Sequence, residues 1–119
     1  MNASPYEALT PAQAERRGRE TTRRLLQAID EHGQACEEEA EALATYNETY
    51  LTAHLLSMDE HLDRKVAHHE TAAQATAAGA KRTLVFATSK RRSLGEEMHS
   101  LRSVLSWLQT NTKAMAAVS

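Results

Sequence analysis

The chain has 119 residues, a formal net charge of -2 and 41% apolar residues, and aromatic residues make up only 4%. A single cysteine excludes an internal disulfide, and the slightly acidic balance argues against a protein that coats nucleic acid. Much of the apolar content is alanine, which buries little area per residue, so we expect a second copy of the chain to complete the core.

The N-terminal residues predict a flexible arm over positions 1–10, followed by a helix. Thr10 is the expected N-cap and Pro11 the first helical residue, a combination that favours a helix start. Apolar and small residues continue at helical spacing, which predicts a first helix over residues 11–31. We expect His32 and Gly33 to end it.

A second helix is predicted over residues 35–56, because apolar residues again recur three or four positions apart. They are Cys36, Ala40, Leu43, Tyr46, Tyr50, Leu51 and Leu55. Ser57 and Glu60 then fit a capping box, which would start a third helix over residues 58–116. The alternative is an unbroken helix through Ser57. Gly79 is the one position where the third helix could bend into a hairpin.

The third helix carries a heptad seam, in which apolar positions alternate four and three apart from Ala73 onward and Arg91 fills one gap. Its densest part is predicted to form the oligomer interface: Leu94, Met98, Leu101, Leu105 and Leu108. Before Ala73 the seam also includes Met58, Leu62 and Val66. We therefore predict an all-α fold of long helices, a helical hairpin or coiled-coil bundle within a single elongated domain over residues 11–119, completed by oligomerisation.

Charge is segregated along the chain. Residues 30–48 hold seven acids and no base, and residues 81–92 hold five bases and no acid. The bases are Lys81, Arg82, Lys90, Arg91 and Arg92. One interpretation is that the acidic segment lies beside the basic first helix and the basic part of the third, within or between chains. The other is that the five bases contact the phosphates of a nucleic acid or an acidic partner.

The sequence shows no apparatus for catalysis. Glu96 and His99 have the spacing of a di-metal motif, but no second such motif accompanies them. His54, His61 and His68 recur every seven residues, too far apart along a helix to chelate one ion. Cys36 follows the apolar phase and adjoins acids, which predicts a buried structural thiol. We expect that the protein is not an enzyme and that it binds neither a metal ion nor a cofactor.

Residues 46–113 resemble a group of small all-helical proteins of tailed bacteriophages. The resemblance is carried by the Tyr-Asn-Glu-Thr-Tyr-Leu segment at residues 46–51, the Ser-Met-Asp-Glu and Asp-Arg-Lys segments that follow at 57–60 and 63–65, and the terminal helix over residues 97–108 with its Leu-Arg-Ser motif. The longer, basic N-terminal helix departs from that group. The resemblance implies a phage protein encoded near early replication and recombination genes.

These observations favour a non-catalytic helical interaction protein, an accessory to phage DNA recombination or replication. The alternatives are a protein-only binder that inhibits or redirects a host enzyme through the acidic run at residues 37–41, and a structural or assembly component of the virion. The expected partners are a second copy of the chain and a phage or host protein, with nucleic acid as a further candidate. No apolar run reaches the length of a membrane span or signal peptide, so we expect a soluble protein of the host cytoplasm without a membrane partner.

Overall fold

A computed structural model describes residues 9–118, with side chains through residue 113. Over this range the chain forms three α-helices and no strand: α1 at Pro11–Glu60, α2 at Val66–Thr76 and α3 at Ala78–Val118. The predicted all-α helical hairpin is confirmed. Most of the predicted N-terminal arm lies outside the described residues.

The start of α1 is confirmed and is reinforced by a reciprocal cap. The backbone N–H of Gln13 donates to the Thr10 hydroxyl at 3.2 Å, and the N–H of Thr10 donates to the Gln13 side-chain oxygen at 2.9 Å. Two backbone donors that the first helical turn leaves unpaired are thereby satisfied. Pro11 occupies the first helical position, where its missing N–H costs nothing.

The predicted helix end at His32 and Gly33 is wrong, because α1 continues through both residues to Glu60. No glycine among the described residues has a positive φ, so Gly33 does not adopt the left-handed conformation of a helix cap. Glycine inside a helix costs about 1 kcal/mol relative to alanine. The packed face, which buries Ala28 and Ala35 on either side of Gly33, offsets that cost.

The predicted break at Ser57 is also wrong. Ser57 lies inside α1 and is buried, and its hydroxyl bonds the His69 ring nitrogen Nδ1 at 2.8 Å rather than capping a helix. The chain turns at residues 61–65 instead. The predicted third helix therefore begins at Val66, and it is interrupted at Ala77 rather than bent at Gly79.

The interruption at Ala77 is small. The N–H of Ala77 donates to the Ala73 carbonyl, and the Ala77 carbonyl accepts from the N–H of Lys81, both at 2.9 Å. Helical hydrogen bonds are therefore present on both sides of Ala77, which is the one non-helical residue between α2 and α3.

The described residues divide into two compact units. We call the described residues of Met1–His32 and Leu94–Ser119 the terminal unit, and Gly33–Ser93 the central unit. The terminal unit pairs the beginning of α1 with most of α3. The central unit pairs the end of α1 with α2 and the beginning of α3. In the central unit Ser57 contacts His69 and the earlier Glu38 contacts the later Lys90, so the paired helices run antiparallel. In the terminal unit Arg24 contacts Glu97 and the earlier Ala14 shares a groove with the later Leu108, so the helices run antiparallel there too.

Alanine dominates the buried positions. From residue 14 to residue 42 of α1 the buried residues recur every seven positions, and they are Ala14, Thr21, Ala28, Ala35 and Ala42. A seven-residue repeat of small side chains is a packing seam that allows close approach of two helices. This seam differs from the one predicted for α1, because Ala40, Leu43, Leu51 and Leu55 are exposed.

The heptad seam predicted on the third helix is confirmed from Ala73 to Leu108. Four of its residues are buried, namely Ala73, Ala77, Ala87 and Leu108, and the other seam positions between Ala80 and Leu105 are half-buried. The preceding part of the prediction is wrong, since Met58, Leu62 and Val66 are exposed. They lie around the turn between α1 and α2, where the chain reverses direction.

Candidate functional site

Most large apolar side chains of the central unit are exposed, while small side chains such as Ala35, Ala42, Ala73 and Ala77 are buried. On α1, Leu51, Leu55 and Met58 are 59%, 64% and 43% exposed. They are four and three positions apart, which is coiled-coil spacing, and we call them the outer stripe. They lie outside the buried side of α1, where Ser57 meets His69. The outer stripe is a second helix-packing seam that the described residues leave uncovered.

Two of the five predicted phosphate-contacting bases pair with acids of the same unit. Lys90 Nζ lies 3.1 Å from a Glu38 oxygen, and Arg91 Nε lies 2.7 Å from a Glu39 oxygen. The Thr88 hydroxyl and then Arg91 lower the pKa of Glu39, because both donate hydrogen bonds to its carboxylate. The predicted contact between the acidic segment and the basic part of the third helix is thereby confirmed for these pairs.

The acidic segment and the basic first helix belong to one continuous helix, so they do not pack side by side within one chain, and their contact between chains stays a prediction. In the terminal unit Arg24 bonds Glu97 of α3, with its Nη2 at 2.8 Å from a carboxylate oxygen. It also bonds Glu31 of the acidic segment, two turns further along α1. The hydrogen bonds that Arg24 donates to Glu97 and Glu31 raise the pKa of Arg24, and the bond from Arg24 lowers the pKa of Glu97.

Lys81 and Arg82 differ from Lys90 and Arg91, because the described residues give them no ion pair. They border a groove of about 760 Å³ in the central unit. Its wall contains Tyr46 of α1 together with Val85 and Phe86 of α3, and its remaining lining residues are Gln74, Ala78 and Ser89. The described lining residues include no acid, so the groove carries positive charge beside exposed aromatic surface.

Sequence reasoning overlooked Phe86, although a signal was present. Phe86 lies four residues after Arg82 and four before Lys90, so all three share a helix face. Tyr46 could not have been found this way, because 35 or more residues separate it from these bases and only the antiparallel packing of α1 and α3 brings it to the groove.

The predicted oligomer residues lie on the face of α3 that packs inside the terminal unit. Leu94, Met98, Leu101 and Leu105 are half-buried there, and Leu108 is buried. Leu105 and Leu108 share a groove with the beginning of α1, including Ala14, Thr22 and Leu26. This face therefore contacts the same chain, and its role between chains stays a prediction.

The four histidines near the turn form a cluster. His61 and His68 have ring centroids 5.4 Å apart, and the buried His69 contacts both His68 and His54. A cavity of about 490 Å³ lies beside them. Sequence spacing brought out His54, His61 and His68 but missed His69, whose role depends on its buried hydrogen bond to Ser57.

The remaining candidates show little organisation for chemistry. No set of three or more metal-binding side chains within the described part of the chain could hold an ion. Glu96 and His99 are both exposed. Cys36 is half-buried rather than buried, because it lies one residue beyond the buried Ala35 on the helix surface.

Over the described residues the protein is all-α, with a mostly alanine interior, a solvent-facing apolar stripe and a basic aromatic groove. Comparisons with models of protein families, with curated proteins and with solved structures find no match. No helix in the described range is long and apolar enough to cross a membrane.

Proposed function

We propose that this chain is a non-catalytic helical interaction protein that self-associates through the outer stripe of α1. The observation that carries the proposal is the inverted distribution of side chains, with alanines inside and Leu51, Leu55 and Met58 outside. Exposed apolar residues at coiled-coil spacing are covered most simply by the same stripe of a second copy, because one surface then satisfies both chains.

The expected affinity follows from the size of the stripe. Burying a leucine or methionine side chain contributes about 1.5–3 kcal/mol, so six partly exposed side chains from two copies contribute on the order of 10 kcal/mol. Association costs roughly 4–15 kcal/mol in lost freedom of motion. At the lower end of that cost, about 6 kcal/mol remains, which corresponds to a dissociation constant of roughly tens of micromolar. We therefore expect a weak, concentration-dependent oligomer rather than an inseparable one.

The resemblance to tailed-phage proteins supports an infected host cell as the setting, with an accessory role in phage DNA recombination or replication.

One observation favours the protein-only alternative. Lys90 and Arg91 are engaged by Glu38 and Glu39, which leaves fewer cations for phosphates than the sequence suggested. The same pairs also occupy half of the acidic surface proposed to bind a host enzyme. A measurement of DNA binding distinguishes the accessory role from the protein-only role.

Self-association is tested by light scattering over a range of about 1 to 100 µM, which brackets the expected affinity. The double variant Leu51→Gln/Leu55→Gln removes apolar surface from the stripe while retaining good helix formers. We expect it to remain helical by circular dichroism and to become monomeric. The matched control is Leu43→Gln/Leu56→Gln, which alters two exposed leucines of the same helix outside the stripe and should leave the oligomer intact.

A third variant distinguishes the outer stripe from the C-terminal seam. Leu101→Ala/Leu105→Ala should lower the melting temperature, because both leucines pack against α1 within the terminal unit. An oligomer that survives loss of the stripe but dissociates in this variant would return the interface to the C-terminal seam. A wild-type chain that stays monomeric at every concentration would exclude self-association.

A further inference from the structure

We propose that the central unit binds a single strand of nucleic acid on α3, with a base stacked on Phe86 and phosphates held by Lys81, Arg82 and Lys90. The proposal deepens the accessory role proposed above, on which it rests, and it assigns that role a ligand and a surface. It differs from a general basic stripe in requiring an aromatic ring and in leaving out Arg91.

The first observation is the spacing along α3. Phe86 stands one turn from Arg82 on one side and one turn from Lys90 on the other, and residues four apart on a helix lie about 5–6 Å from each other. A base stacked on the ring therefore has cations within reach of the phosphates on both sides. Aromatic stacking combined with a positively charged track is the general mode of binding single strands.

The second observation is the exposure of the ring. Phe86 is 72% exposed, more than any other large apolar residue in the described helices. An aromatic side chain normally buries most of its surface, and Phe86 has no hydrogen-bonding group that water could satisfy. Covering the ring with a base removes apolar area from water without any change in the fold of the central unit.

The third observation is the groove beside the ring. It extends the surface toward Tyr46, a second aromatic residue, and its charged lining residues are Lys81 and Arg82. No carboxylate among the described lining residues opposes a phosphate. The Arg82 guanidinium lies 3.9 Å from the position that a Cβ on Gly79 would occupy, so its side chain lies along the helix toward Gly79.

The ion pairs indicate which cations remain accessible. The pair of Lys90 with Glu38 is exposed on both sides, and such pairs contribute little stability, so a phosphate can replace the carboxylate. The pair of Arg91 with Glu39 is shorter and less exposed, and its carboxylate also accepts from Thr88. Arg91 therefore serves the fold of the central unit, and Lys81, Arg82 and Lys90 serve the ligand.

An unpaired strand fits this surface better than a duplex, because the faces of paired bases are covered by their neighbours while an unpaired base has a free face for Phe86. An acidic amphipathic peptide could also match the charge of the groove. Such a peptide would accept any large apolar side chain at position 86, whereas a base requires an aromatic ring. The two occupants therefore predict different results for one substitution.

The test is fluorescence anisotropy with a labelled oligothymidine of about 20 nucleotides, titrated with the full chain from about 50 to 200 mM salt. With three cations engaged we expect a slope of log affinity against log salt of about -2, and Arg82→Gln should reduce its magnitude by about 0.7. Phe86→Leu should weaken binding roughly 5- to 150-fold, whereas Phe86→Tyr, which keeps an aromatic ring, should bind as tightly as the wild type. Val85→Ala, which alters an exposed neighbour in the same groove, is the matched control.

Three results would overturn the proposal. They are no binding at about 50 mM salt, equal binding by Phe86→Leu and the wild type, and equal binding to a duplex of the same length. Circular dichroism and light scattering of each variant keep this test separate from the previous one. Phe86→Leu should remain an oligomer. Loss of DNA binding with an intact oligomer would therefore support the Phe86 surface without testing the outer stripe. A monomeric wild type would contradict the outer-stripe interface without testing DNA binding.

Discussion

Alanine sets the packing of this protein at the scale of single residues. Ala28 and Ala35 have no exposed surface, and seven residues separate them on α1. Interiors are close-packed, so a seam of methyl groups leaves no room for a larger side chain unless the helices separate. The bulky residues that a core would usually contain lie outside for that reason.

Substitution of one buried alanine tests this packing. Ala35→Leu should lower the free energy of unfolding by about 1–3 kcal/mol, because three additional carbon atoms must enter a filled interface. Ala40→Leu is the control, since Ala40 is exposed on the same helix and leucine has a similar helix propensity. Urea unfolding followed by circular dichroism measures both. Equal stability of the two variants would show that Ala35 does not lie in a tight seam.

At the scale of secondary structure, the length of α1 is the main finding. It runs for 50 residues through two glycines and a serine that resemble local stop or start signals. Each signal is worth about 1 kcal/mol or less. The packing of Ala28, Ala35 and Ala42 continues across Gly33 and contributes more, so the helix does not end there.

The continuity of α1 makes a testable prediction at Gly33. A Cβ added there meets no atom within 4 Å, and the residue has helical backbone angles. Gly33→Ala should therefore raise the free energy of unfolding by about 0.5–1 kcal/mol, because alanine loses less conformational freedom than glycine in a helix. Thermal melting provides the measurement. A lower melting temperature would instead indicate a left-handed cap and a broken helix at this position.

At the scale of the whole molecule, each unit contains a carboxylate whose pKa is lowered by hydrogen bonds. In the central unit the pKa of Glu39 is lowered by Thr88 and Arg91, and in the terminal unit the pKa of Glu97 is lowered by Arg24. Both carboxylates bind protons less readily when folded than when unfolded. Their contribution to stability is therefore present above the usual pKa of 4.5 and is lost as the pH falls through the lowered values.

This linkage predicts how stability depends on pH. The double variant Glu39→Gln/Glu97→Gln should melt at a lower temperature than the wild type at neutral pH. The difference should shrink below about pH 4.5, where the wild-type carboxylates become protonated and lose the same contribution. Melting temperatures measured from pH 3 to 7 check this. A difference that stays constant across the range would show that the two carboxylates do not contribute through their charge.

How much could be predicted depended on the range of the interactions involved. The helical class followed from the scarcity of Pro and Gly, and the inward face of α3 followed from its heptads, because both are properties of nearby residues. The repeat of small residues from Ala14 to Ala42 was also present in the sequence. The larger leucines of the same helix mask this repeat, because their own spacing predicts a different buried face.

The all-α class, the cap at Thr10 and the seam from Ala73 to Leu108 follow from residues that are close along the chain. Tertiary packing was needed to establish that α1 passes through Gly33 and Ser57, that His69 is buried against Ser57, and that Tyr46 lines the same groove as Arg82. The physical reason is that helix stop signals and apolar periodicity are local, and each changes the stability of a helix by only about 1 kcal/mol. The choice between the two apolar faces of α1 depends instead on which face the returning chain covers. Alanine allows the closer approach, so that face became the interior and the leucines remained on the surface.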